Sequence, residues 1–519
     1  MAENLRVKSS EFIDETIRVS FKFNGKEYYG FKGDTLASAL LANNVHLVGR
    51  SFKYHRPRGI MTAGSEEPNA IVQVNDNTDR TEPNVRATEL EIYEGLEASS
   101  QNCWPSVNFD IGGINNVISP FLPAGFYYKT FMWPASFWEK YEYFIRHSAG
   151  LGKSPKDKDP DIYDHRYIHC DVLVVGAGIS GILAAKNAAK NNLKTLLVDE
   201  KNELGGATIY QNREFNKIEN QSSSDWIKKE IQELKNLKNL EIKTRTSVAA
   251  FHGYNYLLAR ENLTDHLEKK EKQGKIRQRL LKIRAKKVIL ATGALERPLI
   301  FNNNDRPGIM LSSAVKKYAD FYGVVSGKKN VFFTNNDSAY ESALCLHNKG
   351  IKVEAVIDIR ENSGSKIVKA VKDAGIPIHW SHTIVDTKGY KRLNSISAMK
   401  LSNDGLSVTG SKIDIVCDCL GVAGGWTPAV HLFTQSGGKL TFDETNKVFL
   451  PNKYPSEQIS VGSCNGDFKI KEIINNLSIN LKEFLNIEKT DFDNVTVESE
   501  DDNSKRNIWL LPSDKPLGK

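Results

Sequence analysis

The stretch Asp171-Val172-Leu173-Val174-Val175-Gly176-Ala177-Gly178-Ile179-Ser180-Gly181 decides the fold class of this chain. Its apolar half is typical of a strand in a parallel sheet that is covered on both faces. In its GxGxxG half, Gly176 permits a tight turn, Gly178 lets a pyrophosphate approach the backbone, and Gly181 lets the next helix pack on the sheet. That helix directs free N–H groups and a positive dipole at the phosphates, so the stretch predicts a dinucleotide-binding Rossmann unit.

The residues that follow the glycine loop strengthen this prediction. The apolar run 195–198 predicts a second strand that ends at Asp199-Glu200. Glu200 stands where an acid binds the ribose hydroxyls, which argues against a ribose 2′-phosphate, although the adjacent Lys201 weakens that argument. We predict that the nucleotide contacts Gly176, Ala177, Gly178, Ser180, Gly181, Asp199, Glu200, Lys201, Gly205, Gly206 and, through its backbone at adenine, Val248.

A second mark of the two-dinucleotide-binding flavoprotein superfamily is Ala291-Thr292-Gly293, which follows an apolar strand at 288–291. In that superfamily a second nucleotide domain is inserted after this strand, and strands predicted at 330–333 and 353–359 form such a βαβ unit. The loop of this unit, 333–339, has no glycine where the fingerprint needs three. We therefore expect one bound dinucleotide and a second unit that is kept for packing alone. Thr292 and Gly293 join the predicted site.

The first hundred residues predict a β-grasp, ferredoxin-like module. Apolar and polar residues alternate at 17–23, Asn24-Gly25 supplies a hairpin turn, and 28–31 carries the return strand. Asp34-Thr35 can cap a helix, and 71–74 predicts a further strand. A basic loop lies between them, and we interpret its His55 as a solvated or anion-facing group rather than a catalytic one.

The chain divides into six predicted segments. They are the β-grasp module (1–100), an aromatic connecting segment (101–165), the first dinucleotide-binding part (166–300), the inserted βαβ domain (301–420), the return of the first domain (421–490) and a tail or linker (491–519). The aromatic run 126–144 either packs between domains or forms a docking surface, because aromatic residues are enriched at protein interfaces. The charged run 153–164 predicts a linker.

Composition argues against several classes of protein. The 519 residues are 40% hydrophobic and 26% charged, without an apolar run near the ~18 residues of a membrane span. The first residues lack the pattern of a secretory signal. A net charge of +7 is weak evidence for a nucleic-acid partner, so we expect none. Six cysteines are too few for a disulfide scaffold and suit a reducing, cytoplasmic compartment.

Side-chain redox or metal chemistry is also not predicted. A disulfide reductase would need a cysteine pair after Gly205-Gly206, where the chain has Ala207-Thr208-Ile209-Tyr210. No CxxC pair exists and the eleven histidines are dispersed, so we expect no metal site. We interpret Cys417 and Cys419 as core thiols on one face of a strand, and the basic stretch 269–287 as a charged hairpin.

Five stretches of this chain resemble the α subunits of heterotetrameric sarcosine oxidase. They are 33–43, Gly49-Arg50-Ser51-Phe52-Lys53-Tyr54-His55-Arg56-Pro57-Arg58-Gly59-Ile60, 125–134, 305–308 and 334–340, within a resemblance that covers about 15–490. The resemblance implies an oxidoreductase subunit that binds NAD, or alternatively FAD, at the first Rossmann site. It also implies that the catalytic FAD and FMN lie on a partner β subunit, that small subunits complete the assembly, and that oxygen accepts the electrons.

Three features depart from the expected patterns. The last strand, at 459–461, ends in Gly462-Ser463, whereas the flavoprotein superfamily has a Gly-Asp pair that meets the ribityl chain of FAD. Gly466-Asp467 follows four residues later, and Gly462 and Ser463 still belong to the predicted site because Ser463 can bind a ribose or phosphate. Loop 61–70, where related iron–sulfur subunits carry their cluster, has no cysteine, so we expect no cluster. The folate-binding, aminomethyltransferase-like half that the resemblance implies would begin about where this sequence ends, so we expect it to be encoded separately, truncated or lost.

These observations predict a nucleotide-binding α subunit of a flavin-dependent oxidase that acts on sarcosine or a close N-methyl amine. Such a subunit is expected to be inactive alone and to carry no catalytic residue of its own. The alternative is a free-standing FAD- and NAD-dependent oxidoreductase of the pyridine-nucleotide reductase superfamily. A third possibility is a structural subunit in which the nucleotide only stabilises the fold.

Overall fold

The computed structural model of the protein describes residues 5–75, 81–121, 133–148, 150–210, 216–498 and 505–515. Its N-terminal module contains β1 (Asp14–Phe23), β2 (Lys26–Lys32), α1 (Leu36–Ala42), β3 (Gly49–Arg50), β4 (Pro57–Arg58), β5 (Ile71–Asn75), β6 (Thr81–Arg86) and β7 (Leu96–Ser100). Five of these strands form one sheet with the order β2-β1-β7-β5-β6, in which β1 and β7 are parallel.

Local sequence explains how this module is built. Asn24 and Gly25 have φ angles of 52° and 76°, as the predicted hairpin turn requires. Thr35 caps α1 together with Ser38, and every residue of the helix is buried. The predicted β-grasp, ferredoxin-like module is confirmed.

The connecting segment forms short helical turns with exposed aromatic side chains. Its elements are 3₁₀ turns at Ile111–Gly113, Ser119–Phe121 and Ala135–Phe137, α2 (Ile114–Val117) and α3 (Trp138–Ser148). Phe121, Trp133 and Phe144 are 83%, 82% and 69% exposed, so these side chains do not pack between domains. Residues 122–132, which hold part of the predicted aromatic run, lie outside the described residues.

The first nucleotide domain is a sheet with its long helices on one face, and the other face packs mainly on antiparallel strands of the same domain. It contains β8 (Ile162–Val175), α4 (Ile179–Lys190), β9 (Thr195–Val198), β10 (Lys217–Ile218), β11 (Gln221–Ser222), α5 (Ser223–Leu234), β12 (Leu240–Lys243), β13 (Thr246–His252), β14 (Tyr256–Asn262), α6 (Lys269–Lys272) and β15 (Ile276–Leu290). The strand order is β12-β9-β8-β15-β14-β13, and β12, β9, β8 and β15 are mutually parallel. The strand predicted at 172–175 begins already at Ile162, inside the expected linker. The basic stretch 269–287 supplies α6 and most of β15, which pairs with β14 as a hairpin.

The inserted domain has a parallel sheet of its own. It contains β17 (Ile309–Leu311), α7 (Ser312–Asp320), β18 (Asn330–Thr334), α8 (Ser338–Asn348), β19 (Val353–Asp358), α9 (Lys366–Asp373), β20 (Ile378–Trp380), β21 (His382–Gly389), β22 (Leu393–Leu401), β23 (Val408–Val416) and β24 (Cys419–Ala423). The order β17-β24-β18-β19-β20 is parallel, and β21–β23 form a separate antiparallel sheet. The domain is joined to the first by the paired strands β16 (Ala294–Glu296) and β25 (Trp426–Pro428), and the predicted second βαβ unit is confirmed.

The chain then returns to the first domain. The return contains α10 (His431–Gln435), β26 (Lys439–Asp443), β27 (Val448–Lys453), β28 (Gln458–Ser460), a 3₁₀ turn at Gly462–Asn465, α11 (Ile470–Leu485) and β29 (Val497–Glu498). Strand β28 pairs with β15, so the predicted last strand lies beside the strand of the Ala-Thr-Gly motif. Residues 505–515, predicted as a tail, pack on the inserted domain: Leu511 is buried, and the N–H of Ile300 donates to the carbonyl of Trp509 at 2.7 Å.

One apolar core runs from the β-grasp module into the inserted domain. It includes Phe21 and Leu40 of the module together with Tyr318 and Val324 of the insert. This shared core holds the module against the inserted domain, and the ion pair of Arg245 with Glu91 links the module to the first nucleotide domain. The site below depends on this placement. In the described part of the chain, no helix is long and apolar enough to cross a membrane.

Candidate functional site

The glycine loop between β8 and α4 forms an open cradle. A Cβ at Gly181 would overlap the carbonyl oxygen of Gly176, and one at Gly176 would overlap that of Ala291, so close packing requires both glycines. A Cβ at Gly178 would meet no atom within 4 Å, and α4 begins there without a side-chain cap. The open backbone and the uncapped helix N-terminus fit a pyrophosphate.

The two acids at the end of β9 have different environments. The Asp199 carboxylate accepts hydrogen bonds from the N–H of Ala177 at 2.6 Å and from the N–H of Lys201 at 2.8 Å. Burial raises the pKa of Asp199. Through its hydrogen bond with Ala177, the Asp199 side chain stabilises the conformation of the glycine loop. Glu200 is exposed, and its Oε1 accepts a hydrogen bond from Oγ of Ser65 at 2.9 Å. Glu200 is therefore the acid that is placed to meet a ribose.

Glu200 opens onto a cleft of about 270 Å³ between the β-grasp module and the first nucleotide domain. Its ionisable lining residues include Glu82, Glu89, Glu91, Glu200, Lys201, Glu203, Arg245, Arg260, Lys272 and Lys317. Burial raises the pKa of Glu203 to about 7 and lowers the pKa of Lys317 to about 7. The sequence prediction missed every lining residue from the module, because no local pattern shows that this module faces Glu200.

The glycine pair and the last 3₁₀ turn complete the cradle. The N–H of Gly205 donates to the carbonyl of Ala177 at 2.7 Å, and a Cβ at Gly206 would lie 3.0 Å from Cα of Gly178. A Cβ at Gly462 would overlap Oγ of Ser180, so the return segment meets the start of α4. The fold therefore brings the turn that holds Gly462 and Ser463 next to the glycine loop, although the two segments are far apart in the sequence.

The remaining predicted residues lie around this cradle. The hydroxyl of Thr292 donates to the carbonyl of Ala429 at 2.8 Å, and Gly293 has a φ of 72°. Val248 lies on β13, next to a β-bulge between Val248 and Ala250. The bulge leaves one residue of β13 without a paired residue on β14.

Asp467, which belongs to the Gly-Asp pair that comes four residues after the position expected in flavoproteins, is buried beside the cradle. Its N–H donates to the carbonyl of Gly462 at 3.3 Å, and Oδ1 accepts from the amide of Asn476 at 2.6 Å. Its Oδ2 has no hydrogen-bond partner among the described residues, and burial raises its pKa to about 6. The carboxyl group thus retains one open acceptor.

The equivalent crevice of the inserted domain is filled by the chain itself. Arg360 forms ion pairs of 2.7 Å with Asp337, at the start of α8, and with Asp358, at the end of β19. The 505–515 segment crosses the same strand ends: the N–H of Arg506 donates to the carbonyl of Asn335 at 3.1 Å. The Asp337 carboxylate lies where the pyrophosphate of a second dinucleotide would bind, and the 505–515 segment covers this position. The crevice therefore does not fit a second dinucleotide.

Loop 61–70 is organised around a carboxylate. Glu67 is 2% exposed and accepts hydrogen bonds from the N–H groups of Met61 (3.0 Å), Thr62 (2.6 Å), Asn69 (2.8 Å) and Ala70 (3.0 Å). An iron–sulfur cluster needs thiolate ligands, which this loop does not contain, so the residues do not fit a cluster. Within the described residues, no group of three or more His, Cys, Asp or Glu could hold a metal ion.

Two interpretations of single residues are corrected in part by the structure. His55 is buried rather than solvated, but it does face an anion, since its Nδ1 lies 2.7 Å from Oδ2 of Asp110. Cys417 and Cys419 are both buried thiols, as predicted, but they do not share a strand face. Cys417 precedes β24 and packs in a different core cluster from Cys419.

Comparisons with known proteins agree with this fold. Residues 17–103 match the model of a 2Fe-2S iron-sulfur cluster binding domain, and residues 170–456 match that of the pyridine nucleotide-disulphide oxidoreductases. The solved L-proline dehydrogenase from P. horikoshii superimposes with a TM-score of 0.61 at 19% identity, over 96% of this chain and 80% of that one. At that identity the likeness shows the fold alone, and the predicted fold class is confirmed.

Two relatives carry the sequence resemblance. Sarcosine oxidase subunit alpha of Rhizobium meliloti (strain 1021) is 43% identical over 464 residues, which are 88% of this chain and 45% of that subunit. The subunit of the same name from Corynebacterium sp. (strain P-1) is 35% identical over 460 residues, 88% of this chain and 42% of that subunit. The predicted resemblance is confirmed, and the chain spans less than half the length of these relatives.

Proposed function

Since the chain belongs to the pyridine nucleotide-disulphide oxidoreductase family, we propose that it is the nucleotide-binding α subunit of a multi-subunit, flavin-dependent oxidase acting on sarcosine or a close N-methyl amine. The observation that carries the proposal is the match over 88% of the chain to a sarcosine oxidase subunit alpha. The electron acceptor in this proposal is oxygen. The proposed location is the cytoplasm, which suits six free cysteines.

We propose that one dinucleotide, NAD, binds at the glycine cradle. Gly178 leaves room for the pyrophosphate, the N-terminus of α4 faces it, and Glu200 is free to accept the hydroxyls of the adenosine ribose. Ser463 in place of a Gly-Asp aspartate favours NAD over FAD, and the acid at 200 disfavours a ribose 2′-phosphate. The self-filled crevice around Arg360 supports a single dinucleotide.

The catalytic FAD and FMN belong, in this proposal, to a partner β subunit, and small subunits complete the assembly. Flavin supplies the redox chemistry that oxidises an amine to an imine. This chain contributes a rigid nucleotide-bearing scaffold, and its exposed aromatic segment is the candidate contact surface. Aromatic side chains are enriched at protein interfaces, and Trp133 and Phe144 are largely exposed.

The contact surface can be tested by substitution. Trp133→Asp and Phe144→Asp should weaken co-purification with a co-expressed β subunit, since each places a charge in an apolar contact. Tyr254→Asp is the matched control, because Tyr254 is 91% exposed on the hairpin between β13 and β14, outside this segment. Equal loss of partner with all three variants would refute the assigned surface.

Two measurements test the function. The purified chain is denatured and its released ligand is identified by mass spectrometry; stoichiometric FAD without NAD would overturn the NAD assignment. Sarcosine-dependent peroxide formation is then assayed with the isolated chain and with the chain co-expressed with its β subunit. Turnover by the isolated chain with added FAD would support the alternative, a free-standing FAD- and NAD-dependent oxidoreductase.

A further inference from the structure

The loop that would hold a cluster in an iron–sulfur β-grasp module is held rigid here by protein contacts alone. Its internal anion is the Glu67 carboxylate, which binds four backbone N–H groups from both ends of the loop. A carboxylate with several N–H donors in a buried site fixes local backbone geometry. These four hydrogen bonds define the shape of the loop.

The same loop is anchored from outside by the inserted domain and by its own module. Lys317 Nζ donates to the carbonyl of Ala63 at 2.9 Å, and the Tyr318 hydroxyl donates to the carbonyl of Thr62 at 2.8 Å. The hydroxyl of Thr88 donates to the carbonyl of Gly64 at 2.7 Å. These bonds hold the loop tip in a fixed position.

The tip of this loop, Gly64-Ser65, lines the cleft on the side opposite the first nucleotide domain. There Oγ of Ser65 donates to Glu200 at 2.9 Å, across a sequence separation of 135 residues. A ribose that binds Glu200 must therefore share that carboxylate with Ser65. The hydroxyl occupies one of several lone-pair sites of the carboxylate, which leaves acceptors for the ribose.

We propose that the β-grasp module supplies a wall of the nucleotide site, and that Ser65 is a positioning residue that orients Glu200 toward the adenosine ribose of the bound dinucleotide. This inference rests on the proposed function, because it requires a dinucleotide at the glycine cradle. It assigns the loop a role in ligand binding rather than in electron transfer.

The test is titration calorimetry of NAD with the ligand-stripped full chain. Ser65→Ala should weaken NAD binding about 2- to 10-fold, the effect of losing one hydrogen bond. Ser65→Asp should weaken it further, because the new carboxylate faces Glu200 and repels it. Ser20→Ala is the matched control: its hydroxyl also donates to a carboxylate, Glu94, on the same module but away from the cleft, and NAD binding should not change.

A second probe separates positioning from general loosening of the fold. The analogue of NAD that lacks the adenosine 2′-hydroxyl should bind the wild-type chain more weakly than NAD, and Ser65→Ala should reduce that difference. Melting temperatures without ligand identify any variant that fails to fold. Unchanged NAD affinity and unchanged discrimination in both Ser65 variants would overturn the inference while the proposed function stands. If the wild-type chain binds no NAD, the cofactor proposal and this inference both fail.

Discussion

Gly178→Ala should separate folding of the chain from binding of its nucleotide. Gly178 has φ −71° and ψ −176°, a conformation that alanine adopts readily, and its added Cβ would meet no atom within 4 Å. The ligand-free variant should therefore fold. Its stability should rise by about 0.4–1 kcal/mol, because alanine restricts the unfolded chain.

The cost of the same methyl group appears when the ligand binds. It occupies the space through which the pyrophosphate approaches the backbone, and overpacking of one methyl typically costs about 1–3 kcal/mol. That energy corresponds to a loss of affinity for NAD of roughly 5- to 150-fold. Gly181→Ala should act differently, since its Cβ overlaps the carbonyl of Gly176 and the chain itself is destabilised.

Calorimetry with NAD and thermal unfolding without ligand check this prediction. Gly364→Ala is the matched control, because Gly364 also has open space around its Cβ but lies before α9 in the inserted domain. Gly178→Ala should lose affinity without losing stability, and Gly364→Ala should lose neither. Wild-type NAD affinity in Gly178→Ala would show that the pyrophosphate does not lie at this loop.

Three further results are expected. Burial raises the pKa of Glu296 from its ordinary value to about 7, so the folded chain binds this proton more tightly than the unfolded chain. The stabilising contribution of this proton is full below about pH 4.5 and is lost as the pH rises through about 7. In denaturant titrations, the free energy of unfolding should therefore fall less between pH 5 and pH 8 in Glu296→Gln than in the wild-type chain. Arg506→Ala removes a charged donor from three main-chain carbonyls and should lower the free energy of unfolding by about 1–3 kcal/mol, with faster proteolysis of the 505–515 segment. Iron and acid-labile sulfide should be absent from the purified chain, and about one cluster per chain would contradict the assignment of loop 61–70.

Local patterns predicted the elements that this fold is built from. The apolar run before Gly176 predicted a parallel strand, and the alternation at 17–23 predicted the first strand of the β-grasp sheet. Each of these patterns spans only a few residues, because the spacing of apolar side chains along the sequence follows the geometry of the strand or helix that they form. The length of β8 was not predicted. The strand starts at Ile162, and its first residues are mostly exposed and polar, so they do not show the apolar pattern of a buried strand.

Contacts between distant segments could not be predicted in the same way. The loop sequence around His55 suggested a solvated or anion-facing group, but its burial against the Asp110 carboxylate depends on how the connecting segment folds over it. Ser65 meets Glu200 because the module packs beside the first nucleotide domain, a contact between residues 135 positions apart in the sequence. Nothing in the composition of 505–515 shows that Arg506 crosses the strand ends of that domain.

Charged side chains of this chain satisfy two positions of the fold. In loop 61–70, buried backbone N–H groups need acceptors, because unpaired buried donors are costly. Glu67 accepts four of them. In the inserted domain, Arg360 neutralises Asp358, the acid at the end of β19. The glycine cradle differs, because the space at Gly178 is open and no side chain caps α4. The chain's own groups thus fill the two positions where we expect no ligand, whereas the cradle keeps the space that the proposed dinucleotide would occupy.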